Sequence, residues 1–155
     1  MVISAETRAL IDQEIAKYPV RRGALLPALH LVQRQLGHVA LDTAKEVAAI
    51  FEIRPIEVME VVTFYNMFYD RPQGRHHVHV CTNLPCSLRG ARNLLHALEG
   101  HLGIGSGETT TDGRITLGHE ECLGACAYAP MMRIDSEYHE DLDVEEAKRI
   151  LDGLR

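Results

Sequence analysis

The sequence predicts an α/β protein in two parts: a helical N-terminal region over residues 1–74 and a small α/β domain over residues 75–155. Three observations carry that reading. Apolar side chains in the first half recur at helical spacing. The turn-forming run Tyr69-Asp70-Arg71-Pro72-Gln73-Gly74 then interrupts the pattern. Beyond it come polar–apolar alternation and an Asp-Gly dipeptide between β-prone runs.

Each element has its own signal. Ile3, Leu10, Ile11, Ile15 and Tyr18 fit one helical face, with Ser4 as N-cap and Pro19 as the stop. Leu25, Leu26, Leu29, Val32 and Leu36 form a second stripe, starting near residue 24 and ending at Gly37. Asp42 is placed to cap a third helix carrying Val47, Ile50 and Phe51. Pro55 suits the first turn of a fourth, carrying Ile56, Met59, Val62 and Phe64. Helices this short are unstable alone, so they pack on one another or on something else.

In the second half, His77-Val78-His79-Val80 alternates as a strand. Ser87 precedes a helical stripe of Leu88, Ala91, Leu94, Leu95, Leu98 and Leu102. Thr109–Thr111 and Ile115–Leu117 flank Asp112-Gly113-Arg114, a hairpin signal. Met131–Ile134 reads as another short strand. Asp143 with Glu146 opens a last helix through Val144, Ala147, Ile150 and Leu151.

Composition excludes several functions. The chain has 155 residues, a net charge of −6 and a pI near 5.8. A nucleic-acid binder normally carries a basic face, so that class is disfavoured. No apolar run approaches the ~18 residues needed to cross a bilayer, so no direct membrane insertion is expected. The N-terminus lacks the basic start and apolar stretch of a secretory signal. Residues 75–155 carry 8 basic and 13 acidic side chains, against 8 and 9 in residues 1–74. The excess is either a solvated surface or an orienting face for a basic partner.

All four cysteines lie in the second half, as C-x4-C at Cys81 and Cys86 and C-x3-C at Cys122 and Cys126. Each pair follows a predicted strand, in a loop. Four unrelated buried thiols are disfavoured by their placement in two close loop pairs. Two disulfides need an oxidising compartment. Zinc held by four thiolates remains a rival, although its usual knuckle is C-x2-C. A [2Fe–2S] cluster takes two thiolates on each iron and suits the wider loops. Gly124 permits a left-handed turn that brings backbone N–H groups to the sulfurs. A helix opening at Ser87 would add positive partial charge, and Leu84, Leu123, Ala125 and Ala127 could exclude water. There is no Rieske-type Cys-His spacing and no C-x-x-C redox motif. Gly103–Gly107 lacks the spacing of a dinucleotide fingerprint.

The residues Cys81-Thr-Asn-Leu-Pro-Cys86 and Cys122-Leu-Gly-Ala-Cys126-Ala-Tyr-Ala-Pro130 resemble the thioredoxin-like [2Fe–2S] ferredoxin subunit of NADH–quinone oxidoreductase. Leu25–His30, Gln33, Gly37–Val39 and Phe64–Phe68 resemble the helical region of that subunit. The resemblance runs from about residue 18 to residue 135. It implies a thioredoxin-like fold for residues 75–155 and a [2Fe–2S] cluster on Cys81, Cys86, Cys122 and Cys126. It also implies a flavin- and NADH-binding partner subunit, with FMN and NADH held there, and a cytoplasmic place in the peripheral arm of a membrane-bound complex. No residue of this chain is then catalytic, and the chain is not expected to oxidise NADH alone. Ala129–Pro130 is a candidate cis bond by the same likeness.

Similar subunits serve NAD-linked formate dehydrogenases and hydrogenases. A zinc-stabilised interaction module and a redox-sensing regulator are the readings from other classes. His76, His77 and His79 read as a strand face rather than a ligand set, and His119 could act on the centre through its charge. Phe64, Met67 and Phe68 are candidates for an apolar docking surface.

Overall fold

A computed structural model describes residues 2–155. The chain divides into two compact units between Pro72 and Gln73. Gly74 belongs to the second unit for a steric reason. Its N–H donates to Thr116 Oγ1 at 2.7 Å, and a Cβ there would lie 2.8 Å from the Ile115 carbonyl carbon.

The first unit is helical. Ser4 accepts from the Thr7 N–H at 3.1 Å and caps α1, Ala5–Ile15. Ile11 is fully buried, whereas Leu10 and Tyr18 are largely exposed and Tyr18 lies beyond the helix. A 3-10 turn, Arg21–Ala24, leads into α2, Leu25–Leu36, which stops at left-handed Gly37. Helix α3, Leu41–Phe51, starts from Ala40, not from a cap at Asp42. Asp42 instead lies in the first turn and receives Lys45 Nζ at 2.8 Å, so its carboxylate is spent on the side chain.

In α4, Pro55–Phe64, the Glu57 carboxylate accepts the Arg54 N–H at 3.1 Å. The buried face of α4 carries Val58 and Val62, while Ile56 and Phe64 point to solvent. The core joins these valines to Leu25, Leu29, Val32, Val39 and Val47. Phe68 is buried and tilted against the His30 ring, centroids 4.8 Å apart, so only Phe64 and Met67 of the expected surface trio are exposed.

The second unit is a sheet with helices. Its strands are β1 (His76–Cys81), β2 (Glu108–Thr109), β3 (Ile115–Glu120), β4 (Met132–Ile134) and β5 (Glu137–His139). Their order is β2-β3-β1-β4-β5. Strands β1 and β3 run parallel, with His76 opposite Ile115 and Cys81 opposite Glu120; the other pairs are antiparallel. A parallel pair requires a crossover, here α5 (Leu84–Leu88) and α6 (Ala91–Leu102). Helix α7, Val144–Gly153, is capped by Asp143, which accepts the Glu146 N–H at 2.8 Å.

Two features differ from the sequence reading. The stripe from Leu88 to Leu102 is not one helix, because Gly90 at φ 96° separates α5 from α6 and Leu88 is left exposed. Strand β5 carries little apolar signal and is added by a hairpin whose turn places Asp135 at φ 53°. One sheet face supplies Val78, Val80, Leu117, Met132 and Ile134 to a core with Leu94, Leu98, Ala147 and Leu151. The register puts His77, His79, Thr116, Arg133 and Tyr138 on the opposite face.

The last turn of α7 is tied back to the sheet. Arg114 Nη1 donates to the carbonyls of Leu151 and Leu154, and His76 lies 2.9 Å from Asp135 Oδ2 and 3.0 Å from the Arg155 carbonyl. The hydrogen bond to Asp135, then that to Arg155, raise the His76 pKa above its ordinary 6.5. A raised folded value means that the clasp contributes fully below the ordinary value and is lost as pH rises through the folded one. His76→Asn is therefore expected to cost more stability near pH ~5.5 than near pH ~8.5; equal losses in urea titrations at both would contradict the clasp. Leu98→Ala, at a fully buried site, is expected to cost ~2–5 kcal/mol by the same measurement.

Candidate metal centre

The parallel pairing of β1 with β3 brings the two cysteine loops to one end of the sheet. Cys81 is the last residue of β1, and Cys86 sits inside α5. Both are buried, and Cys86 Sγ lies 3.4 Å from Cys81 Sγ. Cys122 and Cys126 follow β3 in an exposed loop. Gly124, midway between them, takes φ 80°. An added Cβ would meet nothing within 4 Å, so the left-handed backbone, not crowding, calls for glycine.

Polar side chains between the first two cysteines strap the loops together. Glu120 O accepts the Thr82 N–H at 2.9 Å and the Thr82 hydroxyl at 3.2 Å. Asn83 Nδ2 donates to Glu121 O at 3.0 Å. The Ser87 hydroxyl donates to Thr82 O at 2.8 Å, so it braces the first loop and caps no long helix. No long helix starts beside Cys86, because Cys86 and Ser87 lie in the short α5 and left-handed Gly90 delays α6 to Ala91. On the other side, the Tyr138 hydroxyl donates to Leu123 O at 2.7 Å. The Ala129–Pro130 bond is cis, as the likeness implied. Of the four expected shielding residues, Leu123 and Ala125 are half-buried, whereas Leu84 and Ala127 face solvent.

Burial dominates the electrostatics at the inner pair. Burial first, then the bond to Cys81, then the charges of Cys81, Cys126 and Cys122 push the Cys86 thiol up to about 11. A bound cation reverses that balance, because it stabilises thiolates that otherwise repel one another. The residues present fit a two-iron group on two counts. Ligands on a tetrahedral ion with ~2.3 Å metal–sulfur bonds stand ~3.8 Å apart, close to the Cys81–Cys86 separation of 3.4 Å. Among the described residues, the backbone N–H groups from Cys122 to Cys126 have no protein acceptor and are open to sulfur. No three His, Cys, Asp or Glu side chains among the described residues converge as one ion requires; the thiols stand as an inner pair and an outer pair.

The histidines form no such set. Burial, then Arg133, His77 and His119, push His79 down to about 4, so it is neutral at neutral pH beside Glu120 Oε1 at 3.4 Å. His119 is exposed, with its Nδ1 2.9 Å from Ser106 Oγ. The straps from Thr82, Asn83 and Tyr138 had no signature in the sequence. Only the β-register shows that the residues between Cys81 and Cys86 face those before Cys122.

The model of the family described as thioredoxin-like [2Fe-2S] ferredoxin matches residues 11–155. An E-type subunit of NADH-quinone oxidoreductase from Rhizobium meliloti is 43% identical over 148 residues, covering 96% of this chain and 88% of that protein. The mitochondrial NADH dehydrogenase [ubiquinone] flavoprotein 2 of Dictyostelium discoideum is 42% identical over 153 residues, covering 97% of this chain and 62% of that one. A crystal structure of an NAD+-reducing [NiFe]-hydrogenase superposes with a TM-score of 0.71 at 24% identity. It covers 83% of this chain and 22% of the hydrogenase chain, and shows a shared fold.

The unequal burial has a direct readout. In the metal-free native chain, a disulfide reagent such as Ellman's is expected to titrate Cys122 and Cys126 first. Cys81 and Cys86 should follow only on unfolding. Four equally fast thiols in the folded chain would contradict the placement of the inner pair.

Proposed function

The chain belongs to the thioredoxin-like [2Fe-2S] ferredoxin family, and from that premise we propose that it carries electrons as one subunit of a larger complex. Cys81 and Cys86 hold one iron of a [2Fe–2S] cluster, and Cys122 and Cys126 hold the other. The observation that supports this reading is the register that sets both cysteine segments at one end of the β1–β3 pairing, with three side-chain straps between and beside them. When bound, such a cluster accepts and donates one electron at a time.

The protein's own part is geometric and electrostatic. Cys81 and Cys86 supply a rigid inner pair from the core, and the outer loop supplies Cys122 and Cys126 with free N–H donors. Thiolates at all four positions require release of their protons when metal binds. Val80, Cys81, Cys86, Ala129 and Met131 lie within the buried core beneath the site and keep water from its inner side. Gly103–Gly107 lacks the spacing of a dinucleotide fingerprint, so NADH oxidation and FMN are assigned to a partner.

That partner is a flavin- and NADH-binding subunit of an NADH–quinone oxidoreductase, in the arm of the complex that stands clear of the membrane. The names of the relatives support this choice. The exposed apolar residues around the site support a covered surface, because Leu84 is 70% and Leu88 80% exposed beside Cys86. No helix among the described residues is long and apolar enough to cross a membrane.

Anaerobically purified chain is expected to carry about two irons and two acid-labile sulfides and to show a spin-half EPR signal after reduction. Each single Cys→Ser change at 81, 86, 122 or 126 should lose the cluster or alter its spectrum. One zinc without sulfide, even after reconstitution, would replace this reading with a structural zinc module.

A further inference from the structure

We propose that Tyr138 is a positioning residue for this centre. Its hydroxyl orients the Leu123–Gly124 peptide so that the Gly124 N–H is presented to the sulfurs. The inference rests on the reading of the four cysteines as cluster ligands. Tyr138 lies in β5, opposite Arg133, on the polar face of the sheet. It is half exposed, yet its hydroxyl meets Leu123 O at 2.7 Å, in the middle of the outer ligand loop. That carbonyl belongs to the same peptide as the Gly124 N–H. In a planar trans peptide the carbonyl and the N–H point in opposite directions. A hydroxyl that holds the carbonyl toward β5 therefore sends the N–H away from β5. Among the described residues that N–H has no acceptor.

The chain after Tyr138 completes the grip. The Asp141 N–H donates to Tyr128 O at 2.8 Å, and the Leu142 N–H donates to Pro130 O at 2.9 Å. Backbone bonds thus anchor the exit of the ligand loop, while the Tyr138 hydroxyl alone anchors its centre from a side chain. An N–H aimed at sulfur stabilises the more negative, reduced form of a cluster more than the oxidised form. Loss of the hydroxyl should therefore make the centre harder to reduce, at unchanged ligand count.

The test uses the full chain, wild type and Tyr138→Phe, which keeps the ring and removes one oxygen atom. Tyr138→Phe is expected to retain the fold and both irons. It should show a lower reduction potential, altered EPR g-values and release of iron to a chelator ~10-fold faster. Substituting 3-fluorotyrosine at position 138 makes the hydroxyl a stronger donor and should move the potential the other way. Tyr128→Phe is the control, because the Tyr128 hydroxyl has no hydrogen-bond partner among the described residues. A Tyr138→Phe chain with wild-type potential, g-values and iron release overturns the proposal alone. So does an equal shift in the control. A wild-type chain without iron and sulfide overturns the ligand reading, and the positioning role falls with it.

Discussion

The parallel pairing of β1 with β3 is the constraint on which the site depends. It sets Cys81 opposite Glu120, so the chain leaves both strands at the same edge. Thirty-five residues separate Cys86 from Cys122 in sequence, and only a crossover can bring such distant segments together in parallel. Helix α6 provides that crossover and covers the apolar face of the pair. The same hydrophobic burial that stabilises the second unit therefore fixes the site's geometry. A one-residue slip of β3 against β1 would turn Val78 and Leu117 away from a shared core face. It would also separate Thr82 from Glu120 and Asn83 from Glu121, and the two cysteine loops would lose their straps.

Much of this was legible in the sequence, and the reasons are particular. Helices α1 and α2 announced themselves through Leu25, Leu29 and Val32, and through Ser4 and Gly37 at their ends. The outer cysteine pair falls after a strand as expected, with Gly124 turning the chain between its members. Cys81, in contrast, still belongs to β1, and Cys86 to the short helix α5 rather than to a loop. Periodicity misled where one residue outweighed it. Leu88 continues the apolar stripe of α6, yet Gly90 at φ 96° ends the helical path between them. Ser87 resembles an N-cap, yet its hydroxyl serves the carbonyl of Thr82. Ile56 and Phe64 are apolar enough for a core, but the face of α4 that packs is the one bearing Val58 and Val62.

What stayed hidden was long-range and polar. Strand β5 has a single residue, Tyr138, with strong strand preference, and its pairing is visible only beside β4. The bonds from Thr82, Asn83 and Tyr138 to carbonyls near Cys122 join residues whose types have countless other uses. Family likeness named the cluster and its four thiols but said nothing of these supports. They emerge from the register of the sheet and from where each backbone group finds its partner.

The contrast between an inner and an outer cysteine pair also separates two kinds of failure. Cys81 and Cys86 are bound into the cooperative interior, so moving them means melting the sheet. The segment from Cys122 to Cys126 hangs from a tyrosine hydroxyl and a few carbonyls at the surface. Sub-global opening of such a segment costs much less than global unfolding. If the four cysteines hold the proposed cluster, metal loss and denaturation would therefore be different events. On the proposed cluster reading, a chain that lost its cofactor through the outer loop would retain its folded interior and a preassembled half-site.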